Sequence, residues 1–220
     1  MRSYFSALLI LATIGSHAAA KTHVVSFGKW TAIKWAAGPE EDKLIDAKVR
    51  AIYVDAQLKE FTVGSPHEIT DRLFAVRRVV RVNDTLPQEN ATLVRWVWQP
   101  AGWLMVDRVS GHITQIGLAD FDPYTSLASW YRDYVAYCGV SDDGKKLEAV
   151  VAQAGRRKPV LKKKIGEPAN DGEPLCAAPG WERQPMRVSF EQKSGDKLTY
   201  SVHGRAVETI KEEEEEESTD

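Results

Sequence analysis

Residues Asp133–Gln153 read DYVAYCGVSDDGKKLEAVVAQ, and this stretch decides the fold class. Tyr134–Val140 and Lys145–Gln153 are β-branched and aromatic runs, and Ser141-Asp142-Asp143-Gly144 between them is turn chemistry, so the stretch reads as a β-hairpin. Further along, Ser110-Gly111 links Trp103–Val109 to His112–Gly117, and Ser194-Gly195-Asp196 links Met186–Gln192 to Lys197–His203. Period-two alternation recurs in Val49, Ala51 and Tyr53, in Phe74, Val76, Val80 and Val82 opposite Arg77 and Arg81, and in Val94, Trp96 and Trp98. It recurs again in Met186, Val188 and Phe190 and in Leu198, Tyr200 and Val202. Helical periodicity is scarce, with at most a short turn near Pro123. About ten to twelve strands predict an all-β chain, an antiparallel sandwich or barrel, with a small or partial β-propeller as the alternative.

At 220 residues, 43% hydrophobic and 27% charged, the composition excludes a mainly disordered chain and a multi-span membrane protein. Net charge is −2, which gives no general attraction to nucleic acid. The sum hides an asymmetry, because residues 211–220 hold Glu212–Glu217 and Asp220 while Lys21–Ile210 is net +3. Arg2, the apolar run Tyr4–Gly15 and Ala18-Ala19-Ala20 have the layout of a secretory signal peptide over residues 1–20, too short an apolar run for a membrane span. The expected product starts at Lys21, is secreted or periplasmic, and has one β-rich domain over 21–210 with a sub-boundary near 118–130. Residues 211–220 read as a disordered acidic tail.

Export changes the reading of Cys138 and Cys176. An even count in an oxidising compartment predicts one disulfide, worth about 4 kcal/mol in the chain-entropy picture for their separation.

Most catalytic and metal patterns fail on inspection. His67-Glu68-Ile69-Thr70-Asp71 starts like a helical zinc motif but has Asp in place of the second His, with Pro66 before it. Gly139–Gly144 is one residue too long for a nucleophile elbow, and Asp142-Asp143-Gly144 lacks the remaining ligands of a calcium loop. Asp120 and Asp122, beside Phe121 and Tyr124, form the best acidic pair and the one candidate for glycoside hydrolysis. His23, third from Lys21, could hold Cu(II) or Ni(II) with the α-amine and two amides, but the alternation of His23, Val25 and Phe27 predicts a strand that would use those amides. No cofactor is expected.

Two features suit binding. Trp130, Tyr131, Tyr134 and Tyr137 crowd one strand and its approach, with Trp130 and Tyr134 of one parity and Tyr131 and Tyr137 of the other; the row is either a stacking platform or core. Two basic clusters, Arg77-Arg78-Arg81 and Arg156-Arg157-Lys158 with Lys162-Lys163-Lys164, could hold an anionic polymer or could guard sheet edges.

WLMVDRVSGHITQIGL (103–118) and DYVAYCGVSDDGKKLEAVVAQ (133–153) resemble β-propeller blade segments. THVVSFGKW, DRLFAVRRVVRVND and SWYRDYVAYCGVSDDGKKL are similar to a group of exported bacterial proteins, a resemblance that implies export and assigns no chemistry. The sequence thus predicts a binding or structural component of the cell envelope acting without catalysis. Its partner would be an envelope polysaccharide or protein, with no nucleic acid partner and no membrane span after cleavage. The alternative is a carbohydrate-active hydrolase using Asp120 or Asp122.

Overall fold

The computed structural model describes residues 22–36, 44–85, 96–169, 173–203 and 206–209. The expected signal peptide over 1–20, Lys21, Val94 and the expected acidic tail over 211–220 lie outside these residues.

The fold is all-β, with fifteen strands and no helix among the described residues. The first sheet holds β1 (Val25–Phe27), β2 (Thr31–Ala36), β3 (Leu44–Val54), β4 (Gln57–Glu68), β5 (Leu73–Asn83), β6 (Trp96–Asp107) and β7 (Ile113–Ile116). Pairing runs β1-β3-β2-β6-β5-β4, and β4 also pairs with β3, so the sheet is ring-like without being a clean barrel. The ring joins through a parallel contact of β2 with β6 at Trp35 and Trp98, and β7 adds to the other half of β6. Inside pack Ile52, Phe74, Val76, Leu104 and Val106, backed by Val25, Phe27 and Ile113.

The second sheet is a four-strand meander of β8 (Ser129–Tyr131), β9 (Tyr134–Val140), β10 (Leu147–Gln153) and β11 (Leu161–Gly166). The third is another, of β12 (Gly180–Arg183), β13 (Met186–Glu191), β14 (Lys197–His203) and β15 (Ala206–Thr209). The two meanders stack as a sandwich. Tyr134, Ala136, Cys138, Leu147, Ala149 and Val151 meet Val188, Phe190, Tyr200 and Val202 across the interface. The opposite face of β9 and β10, Val135, Tyr137, Val150 and Ala152, is covered by Leu118, Phe121, Ala128 and Trp130. Covered on both sides, β9 and β10 read as near-continuous apolar runs.

The hairpins at 141–144, 110–111 and 194–196 form where the turn residues place them, with Gly144, Gly111 and Gly195 in the left-handed region. The alternations of β13 and β14 also hold: Val188, Phe190, Tyr200 and Val202 are buried. Two patterns need correction. In β5 a bulge between Arg77 and Val79 moves the buried face, so Val79 is buried while Val80 is half-buried and Val82 exposed. In β3 a bulge after Ile52 leaves Ile52 and Val54 in the core alongside Val49 and Ala51. The turn near Pro123 is a single loop closed by Ser126 N donating to Asp122 O at 2.9 Å.

Cys138 and Cys176 form the disulfide, with Cα atoms 6.1 Å apart. Both are buried, and the bond ties β9 to the loop that leads into β12. The Cys138→Ala/Cys176→Ala variant is expected to lose about 4 kcal/mol, lowering the calorimetric midpoint by about 10 °C. An unchanged midpoint would show that the crosslink constrains nothing the core does not already hold.

Candidate functional site

The aromatic row is core and interface, not a platform, because a tight hairpin at Arg132-Asp133 breaks its parity. Tyr131 pairs with Tyr134 and Trp130 with Val135 across that turn, where Arg132 has φ +53°. Trp130 therefore points toward the first sheet, stacking on His67 (centroids 5.4 Å) and meeting Trp103 edge-on (5.2 Å). Tyr131 lies beside Trp181 of the third sheet, and Tyr134 is buried in the sandwich core. The His67 ring also hydrogen-bonds Arg132 O through Nε2 at 2.7 Å. Glu68 takes both terminal nitrogens of Arg108 at 2.8 Å. The zinc-like pentapeptide thus sits at a strand end with its polar groups engaged, not on a helix.

Asp120 and Asp122 do not act as a pair. Asp122 Oδ1 accepts from the backbone N–H of Tyr124 (2.7 Å) and Thr125 (2.9 Å), which fixes the 122–126 turn. Asp120, at φ +57°, turns inward, and its carboxylate is 3% exposed. Gly139 permits that approach, since a Cβ there would lie 2.4 Å from Asp120 O. Lys162 Nζ stands 2.7 Å from Asp120 Oδ2 and 3.2 Å from Glu148 Oε2, and it is held charged by both carboxylates above its ordinary range. Neither carboxylate oxygen has a further hydrogen-bond partner among the described residues. Tyr137, which donates to Ala119 O at 2.7 Å, is pushed upward first by burial and then by the Asp120 charge. Two carboxylates sharing one ammonium form a structural charge cluster, so the hydrolase arrangement is not met by Asp120 and Asp122. Glu148 was legible in principle, as a lone acid inside LEAVVA, a run that strand burial leaves no room for unless paired.

The basic clusters also separate. Arg77 reaches under the first sheet, donating to Pro123 O at 2.5 Å beside Phe121, and burial lowers its pKa to about 10 against the opposing pull of Asp122. Arg78 pairs with Glu60 at 2.9 Å, and Arg81 covers the Trp96 ring. On β11, the edge strand of its sheet, Lys162 is taken by the two acids while Lys163 points to the opposite face, 5.8 Å from the Tyr200 ring. Lys164 follows on the exposed surface. These three lysines lie along a sheet edge and do not share one face.

His23 is likewise committed. Its backbone N–H donates to Val109 O at 3.1 Å, and its Nδ1 is 2.7 Å from Asp55 Oδ2. The amide and the imidazole nitrogen that a terminal copper site would use are both engaged, in line with the strand alternative for His23. Among the described residues no group of three or more His, Cys, Asp or Glu side chains could hold a metal ion.

What remains is Arg156 and Arg157. Together with Gly155 they form one wall of a groove of about 500 Å³ whose other lining is Met105, Thr114–Gly117, Leu118 and Ala119. The turn that presents the arginines is tied down by Asp133. Ala154 N donates to Asp133 O (2.8 Å), Gln153 Nε2 to Asp133 Oδ2 (2.6 Å), and Arg156 N closes on Gln153 O (3.0 Å). An apolar floor with two guanidinium groups on a fixed rim can seat a ligand with a negative charge and an apolar or extended body. The sequence pointed to the arginines as charge, but their groove partners lie about forty residues earlier, where no local pattern links them.

Against family models, curated proteins and solved structures, the chain shows no significant match. No helix among the described residues is long and apolar enough to cross a membrane.

The charge cluster yields a pH-dependent expectation. Lys162→Met leaves two nearly buried carboxylates side by side, and should cost about 2 kcal/mol at neutral pH, because an unpaired buried charge is the costly state. In the parent, the raised Lys162 pKa means the stabilisation is present at neutral pH and is lost as pH rises through the lysine titration, so the variant should approach the parent at alkaline pH. Urea unfolding at several pH values checks this, and a cost independent of pH would contradict the cluster's role.

Proposed function

We propose that this protein is an exported binding component of the cell envelope that acts without catalysis and takes an anionic ligand in the groove rimmed by Arg156 and Arg157. The observation that carries this reading is the groove itself: the two arginines stand over an apolar floor on a turn pinned by Asp133. The side chains first weighed for catalysis are instead engaged: Asp120 by Lys162, Asp122 in capping its own turn, Glu68 by Arg108 and His67 by Arg132 O. Export is supported by the leader-like residues 1–20 and by a buried disulfide, a bond that persists in oxidising compartments.

The test is salt elution from a sulfated polyanion resin. Parent protein should be retained at low salt and released as salt screens the contact. Arg156→Gln/Arg157→Gln should elute markedly earlier, with affinity down about tenfold, equivalent to about 1.4 kcal/mol. Lys163→Gln/Lys164→Gln, on the edge strand, should change elution less. Equal elution of the arginine variant and the parent would overturn the proposal.

A further inference from the structure

The groove is not confined to a sheet face: Met105, Thr114 and Ile116 line it from one face, and it continues past them to the sheet's edge. Thr114, Gln115, Ile116 and Gly117 are consecutive, and all four line it. Alternate side chains of a strand point to opposite faces, so a surface that touches four residues in a row runs along the strand's edge. That edge is the outer side of β7, whose one strand partner among the described residues is β6.

The pairing register shows which backbone groups face outward. Asp107 N donates to His112 O at 2.9 Å, which makes 107 and 112 a hydrogen-bonded pair. Met105 opposite Thr114 and Trp103 opposite Ile116 then continue that set. The N–H and C=O of Ile113 and Gln115 therefore point away from β6, toward the groove side. The contrast with β11 is chemical. That edge strand carries Lys162-Lys163-Lys164, whereas β7 reads Ile-Thr-Gln-Ile, with no charge and no proline to discourage pairing. An edge that no other described strand covers is a template for an added strand, and across from this one stand Arg156 and Arg157.

We infer that the groove binds an extended acidic peptide segment of a partner protein, which adds as a strand to β7 through the backbone of Ile113 and Gln115 while its carboxylates meet Arg156 and Arg157. The commitment to a peptide comes from the edge, because an acidic polysaccharide could use the guanidinium groups but not the ladder. Charge complementarity selects acidic side chains, and the apolar floor of Ile116 and Leu118 accepts the alternate residues. This inference rests on the anion-binding reading of the same groove and adds the class of partner.

The probe is the acetylated, amidated hexapeptide Thr-Glu-Val-Glu-Val-Thr, titrated by calorimetry against the parent protein. Its companion carries N-methyl groups on alternate amides, which removes strand hydrogen bonding while keeping every charge. Saturable binding of the first peptide, and binding of the second about tenfold weaker or more, supports strand addition. Gln115→Pro, which removes one outward N–H, should weaken the first peptide. Equal affinity of the two peptides, or saturable binding of polygalacturonate with none of either peptide, overturns the peptide reading. The methylated peptide needs no variant to fold, so the comparison stands if Gln115→Pro does not. Loss of the arginine effect on the resin would instead strike the anion reading on which this one builds.

Discussion

The strand pair β9–β10 has no solvent-facing side, and the rest of the molecule is arranged to cover it. One face needs the third sheet, which supplies Val188, Phe190, Tyr200 and Val202, and the Cys138–Cys176 bond fastens the approach to that sheet. The other face needs the 118–130 segment, which lays Leu118, Phe121 and Trp130 over Val135, Tyr137 and Val150. Trp130 then carries the contact on to the first sheet through His67 and Trp103. A central layer of fully buried side chains releases much apolar surface from water, but it obliges both neighbours to be present.

The joints between layers are where the charges sit. Arg77 crosses from the first sheet to Pro123 O, and Lys162 crosses from β11 to Asp120 at the start of the covering segment. Each is a long side chain whose charged end reaches a partner in the next layer. Such contacts add little net energy compared with apolar packing, but a mismatched arrangement would bury an unpaired charge. They therefore act as keys that discriminate the observed stacking from a slipped one. Gly139 has the same effect by steric means, since its missing side chain is what lets the Asp120 backbone settle on β9.

How much of this was legible in the sequence depends on the range of the signal. The hairpin at Ser141–Gly144 was readable because its turn residues and both strands are adjacent in sequence. The hairpin at Arg132-Asp133 was not, because an arginine in the left-handed region carries no turn signature, and missing it put Tyr131 and Tyr134 on opposite faces. The β5 bulge after Arg77 was silent for a related reason: DRLFAVRRVVRVND alternates plausibly in either register, and only pairing with β6 decides. The disulfide was legible from two cysteines and a leader-like start, since chemistry restricted the choice to one pair. The groove was half legible, its arginines as a charge run and its other wall not at all.

That second wall has a consequence for how binding would be felt by the fold. One side of the groove is β7, carried by the first sheet, and the other is the Arg156–Arg157 turn, carried by the second. The turn is fixed to Asp133, which belongs to the β8–β9 hairpin, and that hairpin is fixed to the first sheet by the stacking of Trp130 on His67 and by His67 Nε2 on Arg132 O. The walls of the groove are thus held by this aromatic packing together with Leu118 and Ala119 of its own lining, which pack and hydrogen-bond on the second sheet. A site whose walls are positioned in this way is pre-organised, so a ligand need not supply the energy to bring the walls together.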